Sequence, residues 1–323
     1  LERNSVQKGP VVSSEDPLPQ ADVSVIIPAY QAEDTIIRAL DSVLAQTALP
    51  AEIIVIDDGS QDRTRGVVSA YAAKETACDI RLFEQKNLGA GAARNRGLVA
   101  SAKTLVAFLD ADDEWLPEKL ARSLSVMETA AADLVSHDFL RAEGDSSAYI
   151  SCAHNFSRRP DPFVDYFLRG YIATSTVVAR RQLLVDAGGF DPSLRAGQDY
   201  ELWLAAISRP DMRHHVFAEA LTRYHVTPNS ITSQVELRRR TSWRTLRRHF
   251  SALKGRSRSP RTVAMMRAAI IYLQAAQAYR SAGNSLGALS ALFRLPFRVA
   301  SVITFRAGGA VDRPDFLRDD HST

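Results

Sequence analysis

Two patterns of apolar positions alternate along the first part of this chain. Val23-Ser-Val-Ile-Ile-Pro28 is a short β-branched run closed by proline, as at the end of a buried strand. Residues 33–46 then space Ile36, Ile37, Leu40, Val43 and Leu44 along one helix face. A second strand run, Glu52-Ile-Ile-Val-Ile-Asp57, ends in the turn Asp58-Gly59-Ser60, and Asp62 is placed to cap the helix that follows. A third strand is predicted at Asp79–Glu84 and a helix from Ala90 to Ser101. The fourth run, Thr104–Leu109, ends in Asp110-Ala-Asp112-Asp113; Pro117 fits the first turn of another helix and Asp133–His137 a fifth strand. These strands are apolar throughout rather than at alternate positions. Both faces must therefore be covered, which predicts an α/β fold with a mainly parallel sheet flanked by helices. Ligands of such open sheets bind at the carboxyl ends of the strands. Those ends here carry Pro28-Ala-Tyr30, Asp57-Asp58 and Asp110–Asp113.

After about residue 140 the alternation lapses. A loop-rich stretch, 141–162, leads to a helix near Phe163–Gly170, a strand at Ser175–Ala179, and a helix at 180–187 stopped by Gly188-Gly189. Residues 199–207 form another helical pattern. Beyond Gln234, Leu237, Trp243, Leu246, Phe250 and Leu253 make an apolar stripe among arginines, and 260–283 and 285–305 read as helices, the last broken by Pro296. The expected organisation is a flexible leader (1–21), an α/β domain (22–235) and a basic helical C-terminal extension (236–323). No apolar run approaches the roughly 20 residues of a membrane span, and residues 1–20 hold no apolar core of a signal peptide.

Composition adds little, but charge adds an asymmetry. The chain is 46% hydrophobic and 24% charged, which excludes collagen-like and wholly disordered classes. Residues 237–323 carry 17 Lys+Arg against 4 Asp+Glu, while the rest carries 23 against 33. The acidic part suits cations. The basic tail suits an anionic surface or partner, or packs on the α/β domain with its arginines in solvent. Nucleic acid is not expected, because the tail has no recognition motif or aromatic ladder. Cys78 and Cys152 are too few for a disulfide framework and are expected as reduced thiols of a cytoplasmic protein, a single bridge being the alternative.

Three carboxylates in four residues, Asp110-Ala-Asp112-Asp113, repel one another unless a cation or solvent separates them. Such hard oxygen ligands suit Mg²⁺ or Mn²⁺ when phosphate oxygens complete the shell; a solvated turn capping the next helix is the alternative. Asp58 can accept from a base N–H or a ribose hydroxyl, or simply cap its turn. A phosphoacceptor role would want an acidic pair at the first strand, where Pro28-Ala-Tyr30 stands instead. Asn87-Leu-Gly89-Ala-Gly91-Ala-Ala-Arg94 fails as a dinucleotide fingerprint, since Arg94 replaces the third glycine and the stretch follows the third strand. Its glycines can still approach a diphosphate that Arg94 neutralises, or can serve close helix–sheet packing. Asp199, in Gly197-Gln198-Asp199-Tyr200-Glu201-Leu202-Trp203, is either an N-cap or a general base at the cleft.

Together these segments resemble the glycosyltransferase family 2 superfamily with its GT-A fold. The resemblance runs through Val23–Tyr30, Ser42–Gln46, Ile54–Ser60, Asn87–Gly89 with Ala93-Arg-Asn95, Phe108–Asp113, Gly188-Gly-Phe190-Asp191 and Asp199–Trp203, in the family's order over residues 22–233. It implies inverting transfer of a sugar from a nucleotide-sugar donor to a saccharide or lipid-linked acceptor, in polysaccharide or glycolipid synthesis. Pro28, Tyr30 and Asp58 would line the nucleoside pocket, with Arg94 near ribose or diphosphate. Asp110 and Asp112 look like the DxD motif, with Asp112 and Asp113 closest to the divalent cation, and Asp199 matches the general base. The place would be the cytoplasm or the inner face of its membrane. Two departures stand out: Gln198 replaces the glutamate common before the base, and Thr227 stands where a histidine precedes the Pro-Asn-Ser turn. His225, two residues earlier, is expected to be a packed or surface histidine. A catalytically silent member of the fold is the non-enzyme alternative. A nucleotidyltransferase is the other enzyme; it would want a Gly-rich basic signature where Gln31–Asp34 stands.

Overall fold

The computed structural model describes residues 20–74, 77–144, 146–156, 161–226, 234–305 and 316–317. The chain opens with β1 (Gln20–Ala29), α1 (Ile36–Leu44), β2 (Leu49–Asp57), α2 (Thr64–Ala72), β3 (Asp79–Glu84), α3 (Ala90–Ala100) and β4 (Leu105–Phe108). Next come β5 (Glu114–Trp115), α4 (Lys119–Thr129), β6 (Leu134–His137), β7 (Phe139–Glu143), β8 (Ser146–Ile150), α5 (Ala153–Phe156) and α6 (Pro162–Arg169). A 3-10 turn at Thr174–Thr176 precedes β9 (Val178–Arg180), α7 (Arg181–Asp186), α8 (Gln198–Ile207), β10 (His214–Phe217) and β11 (Thr222–His225). The tail is helical: α9 (Val235–His249), α10 (Pro260–Ser281) and α11 (Ser285–Ser301).

The central seven-stranded sheet has the order β10-β6-β9-β4-β1-β2-β3. All its pairings are parallel except those of β9, which runs antiparallel between β4 and β6. Val23, Val25, Ile26 and Ile27 are all fully buried, as strands covered on both faces require. Gly97 explains how closely α3 lies on β1: a Cβ there would overlap Ile26 Cγ2. A second sheet, β5-β11-β7-β8, is built largely from the stretch expected to be loop-rich.

The tail shares this core. Leu246, Phe250 and Leu253, with Tyr272 of α10 and Ala288 of α11, join one apolar cluster with Phe108, Phe163 and Trp203. The apolar stripe that runs from α9 into the 3-10 turn Phe250–Leu253 is therefore not a face left over for a membrane: Leu246 and Leu253 are fully buried and Phe250 nearly so. Ionic contacts fasten the same junction. Arg248 Nη1 lies 2.9 Å from Asp191 Oδ2 and 3.0 Å from Glu201 Oε1, and both carboxylates are fully buried. His249 Nε2 lies 3.1 Å from the same Glu201 oxygen.

One expectation needs correction. Ser285–Thr304 is long and apolar enough to cross a membrane by length and composition, with mean hydropathy 1.5. Arg294, Pro296 and Arg298 interrupt the run, so counting uninterrupted apolar residues misses it. The two cysteines are buried and form no disulfide. Most of the leader and the turn Thr227–Ser230 lie outside the described residues.

Candidate active site

The carboxyl ends of β1, β2 and β4 come together at one rim, and side chains from later elements close over it. Asp110 leaves β4 with its backbone N–H donating to Ser175 Oγ at 3.1 Å. That same hydroxyl donates to Asp113 Oδ2 at 2.5 Å, and the His225 N–H donates to Asp113 Oδ1 at 3.1 Å. Asp113 is thus fully buried, with both oxygens engaged. Burial, then the charges of Asp110 and Asp112, holds its carboxyl well above the usual range. Ser175 is fixed in turn: its carbonyl accepts from Trp115 Nε1 at 2.8 Å. Under that indole sits buried Lys119, its Nζ 3.9 Å from the ring centroid; burial pushes the amine well below its ordinary pKa.

Asp110 and Asp112 are half-buried at the rim. Asp110 pairs with Arg94, whose guanidinium also lies 5.4 Å from the Phe190 ring centroid. The Asp112 carbonyl accepts from Arg38 Nη2 at 2.6 Å, which fixes the backbone of the acidic turn. Asp199, in the first turn of α8, reaches the same neighbourhood. Its Oδ1 accepts from the Tyr200 N–H at 2.7 Å, and Thr174 Oγ1 lies 3.5 Å from its Oδ2. Burial raises the Asp199 pKa. The Tyr200 N–H and the charge of Arg94 work against that rise, while Asp110 adds to it. Gln198 is buried against α3, its Cγ 3.2 Å from where a Gly91 Cβ would be.

The expected nucleoside contacts divide into two kinds. Tyr30 is half-exposed at the end of β1, and Pro28 is buried within the strand, paired with Ile56. Asp58 is buried and organises the loop before α3. Its Oδ1 accepts from Gln85 Nε2 at 2.7 Å and the Leu88 N–H at 2.9 Å, and its Oδ2 from the Gly89 N–H at 2.8 Å. Gly89 adopts φ 92°, which favours glycine. His225 is partly buried, its Nε2 3.5 Å from Glu114 Oε2.

Among the described residues no three His, Cys, Asp or Glu side chains converge to hold a metal unaided. The donor set still suits a hard cation whose remaining ligands are substrate oxygens. Asp110 and Asp112 offer carboxylates at the rim, and Asp113, two bonds' worth committed to Ser175 and His225, stiffens the turn behind them. Sequence reasoning missed Ser175, Trp115 and Arg38. Ser175 and Arg38 meet the acidic turn from more than sixty residues away, Trp115 acts on it by holding Ser175, and no local pattern marks any of the three.

The model of Glycosyl transferase family 2 matches residues 24–186. The chain is 31% identical over 228 residues to the succinoglycan biosynthesis protein ExoO of Rhizobium meliloti, covering 67% of this chain and 64% of that one. It is 32% identical over 221 residues to the amylovoran biosynthesis glycosyltransferase AmsB of Erwinia amylovora, covering 63% and 69%. The chain thus spans less than two thirds of ExoO's length and slightly more of AmsB's. Among solved structures, the mannosyltransferase PcManGT of Pyrobaculum calidifontis, in complex with GDP-Man and Mn²⁺, aligns with a TM-score of 0.59 at 19% identity, covering 92% and 82% of the two chains. That likeness is one of fold, and it is the GT-A fold. Matched over half its length by the family model, and by a relative it largely covers, this chain belongs to glycosyl transferase family 2.

Proposed function

We propose that the chain moves a sugar from a nucleoside-diphosphate sugar to the hydroxyl of a saccharide, whether that saccharide stands alone or is carried on a lipid. Such transfer would serve polysaccharide or glycolipid assembly in the cytoplasm or at its membrane. One observation carries this proposal. Asp199 of α8 and the acidic turn after β4 share one electrostatic neighbourhood with Arg94, at the carboxyl ends of a parallel sheet. The polysaccharide-synthesis names of the relatives and the nucleotide-sugar complex of the structural neighbour agree with it.

The chemistry asks for one displacement at the anomeric carbon. The acceptor oxygen forms its bond to that carbon as the bond to the diphosphate breaks, so configuration inverts and no sugar–enzyme bond forms. Asp199 accepts the acceptor's proton as its oxygen attacks; its raised pKa makes it a stronger base than an ordinary carboxylate. Arg94 faces the leaving diphosphate and is held at its station by Asp110 and Phe190. Tyr30 offers a flat, half-exposed ring to the base, and Asp58 sets the loop that brings Gly89 to the start of α3. Asp112, with Asp110 beside it, would hold a divalent cation, which would supply further neutralisation of the diphosphate. Asp113 positions that turn rather than touching the donor.

The test is a thermal-shift panel of nucleoside diphosphates with and without Mn²⁺. One nucleotide should raise the melting temperature, by about 2.7 kcal/mol of stabilisation at a hundred times its Kd. Mn²⁺ should enlarge the shift, and Asp112→Asn should abolish that enlargement. No response to any nucleotide would overturn the proposal.

A further inference from the structure

The tail presents one apolar surface that the core does not use. Helix α11, with Val302 directly after it, packs on α10 through a stripe that includes Ala288 and Ala291, and all three residues are buried. The approach is close: a Cβ at Gly287 would lie 2.7 Å from Tyr279 Cδ1 of α10. On the opposite side Leu286, Leu289, Phe293 and Phe297 are 81%, 63%, 73% and 66% exposed. At 100° per residue these four, with Leu292 and Pro296, fall within an arc of about 140°, wide enough for an apolar helix face. Arg294 and Arg298 flank one edge of the arc. Beside that edge, Arg247 and Arg298 wall a cleft of about 500 Å³ with Trp243 and Phe305.

Charge selects the occupant. Residues 237–305 hold 14 Lys+Arg and no Asp or Glu. Among the described residues neither Arg247 nor Arg298 forms an ion pair; they lie 5.8 Å and 5.4 Å from the ring centroids of Phe305 and Trp243. A second copy meeting this face would bring two uniformly basic surfaces together, which is unfavourable. An anionic leaflet meets both demands, since its acyl boundary accepts the arc and its phosphates accept the arginines. Crossing the bilayer is a different matter. The 20-residue stretch Ser285–Thr304 is long enough, but spanning would strip its buried stripe from α10. It would also carry Arg294 and Arg298 into hydrocarbon. α10 is itself tied to the body, with Arg267 donating to the Leu168 carbonyl at 2.9 Å.

We propose that α11 is an in-plane membrane-docking helix, seating its Leu286–Phe297 face in an anionic leaflet with Arg247, Arg294 and Arg298 on lipid phosphates. It extends the proposed activity without depending on it, because its readout is binding to lipid alone. The experiment is co-sedimentation of the full chain with phosphatidylcholine vesicles and with equal mixtures of phosphatidylglycerol and phosphatidylcholine. Binding to the anionic vesicles should be stronger by roughly 10-fold or more, and should weaken as salt rises. Phe293→Asp with Phe297→Asp should lower it at least about 10-fold, and Arg247→Gln with Arg298→Gln should reduce the anionic preference. The Asp substitutions lie on exposed positions and should leave the melting temperature in place; Leu289→Asp alone provides a milder check. Equal binding to both vesicles, or undiminished binding by the Asp variants, would overturn the proposal. So would attachment that resists both high salt and alkaline extraction, which would mean a span. A dimer in solution that Phe293→Asp dissolves would overturn it in favour of a second copy.

Discussion

Replacing Arg248 by Met tests whether the tail completes the fold that carries the site. The guanidinium is the nearest cation to two carboxylates, Asp191 and Glu201, that have no exposure at all. Removing one partner from a buried pair costs about 3–5 kcal/mol, because the remaining charge is left without compensation. Some compensation survives here. His249 stays 3.1 Å from Glu201, and Arg244 lies 3.8 Å from Asp191 but is half-exposed, so it contributes little. The expected loss is therefore at the lower end, about 3 kcal/mol. For a chain of this length that corresponds to a fall in Tm of about 4 °C. Urea denaturation would measure the free energy and scanning calorimetry the Tm. Asp191→Asn in the same chain should recover part of the loss, with a coupling energy of at least about 1 kcal/mol in the double-mutant cycle. A loss under 1 kcal/mol, or additive effects, would mean that α9 rests on α8 through apolar packing alone.

Three further outcomes are expected. Asp113→Asn should raise Tm at neutral pH without cation. The folded Asp113 pKa lies above its unfolded value, so its charge costs stability that returns as pH falls through the folded pKa; the gap to the parent should therefore close on acidification, and Mn²⁺ should stabilise the parent more than the variant. Donor turnover should fall on acidification through a pKa above the ordinary 3.8 of aspartate, since Asp199 must be ionised to accept a proton; a pH profile flat down to that value would exclude Asp199 as base. Gly97→Ala should destabilise by about 1–3 kcal/mol in urea, because the new methyl overlaps Ile26 and α3 must shift on β1.

The first half of the fold is legible because burial on both faces leaves its mark on most residues of β1, β2 and β4. The short later strands leave no such mark. β10 reads His214-His215-Val216-Phe217 and β11 Thr222–His225, half polar and short, and only their neighbours make them strands. The antiparallel β9 is three residues long behind a 3-10 turn, so its direction is set by packing, not by its composition. In the site, Asp110, Asp112 and Asp199 announce themselves as carboxylates at strand and helix ends. Ser175 does not, since a serine in Thr174-Ser-Thr176 says nothing of the Asp113 carboxylate it meets 62 positions away. The α9 stripe was ambiguous for a similar reason. Periodicity shows that Leu246, Phe250 and Leu253 share a face, but not whether that face meets a membrane or Trp203.

The most direct measurement of the central claim separates donor binding from transfer in Asp199→Asn. With the nucleotide sugar chosen by the thermal-shift panel, donor affinity should match the parent, while turnover, followed as release of the nucleoside diphosphate, should fall about 100-fold or more. Unchanged turnover, or a loss confined to donor affinity, would contradict the assignment of Asp199 as the base of a glycosyl transfer.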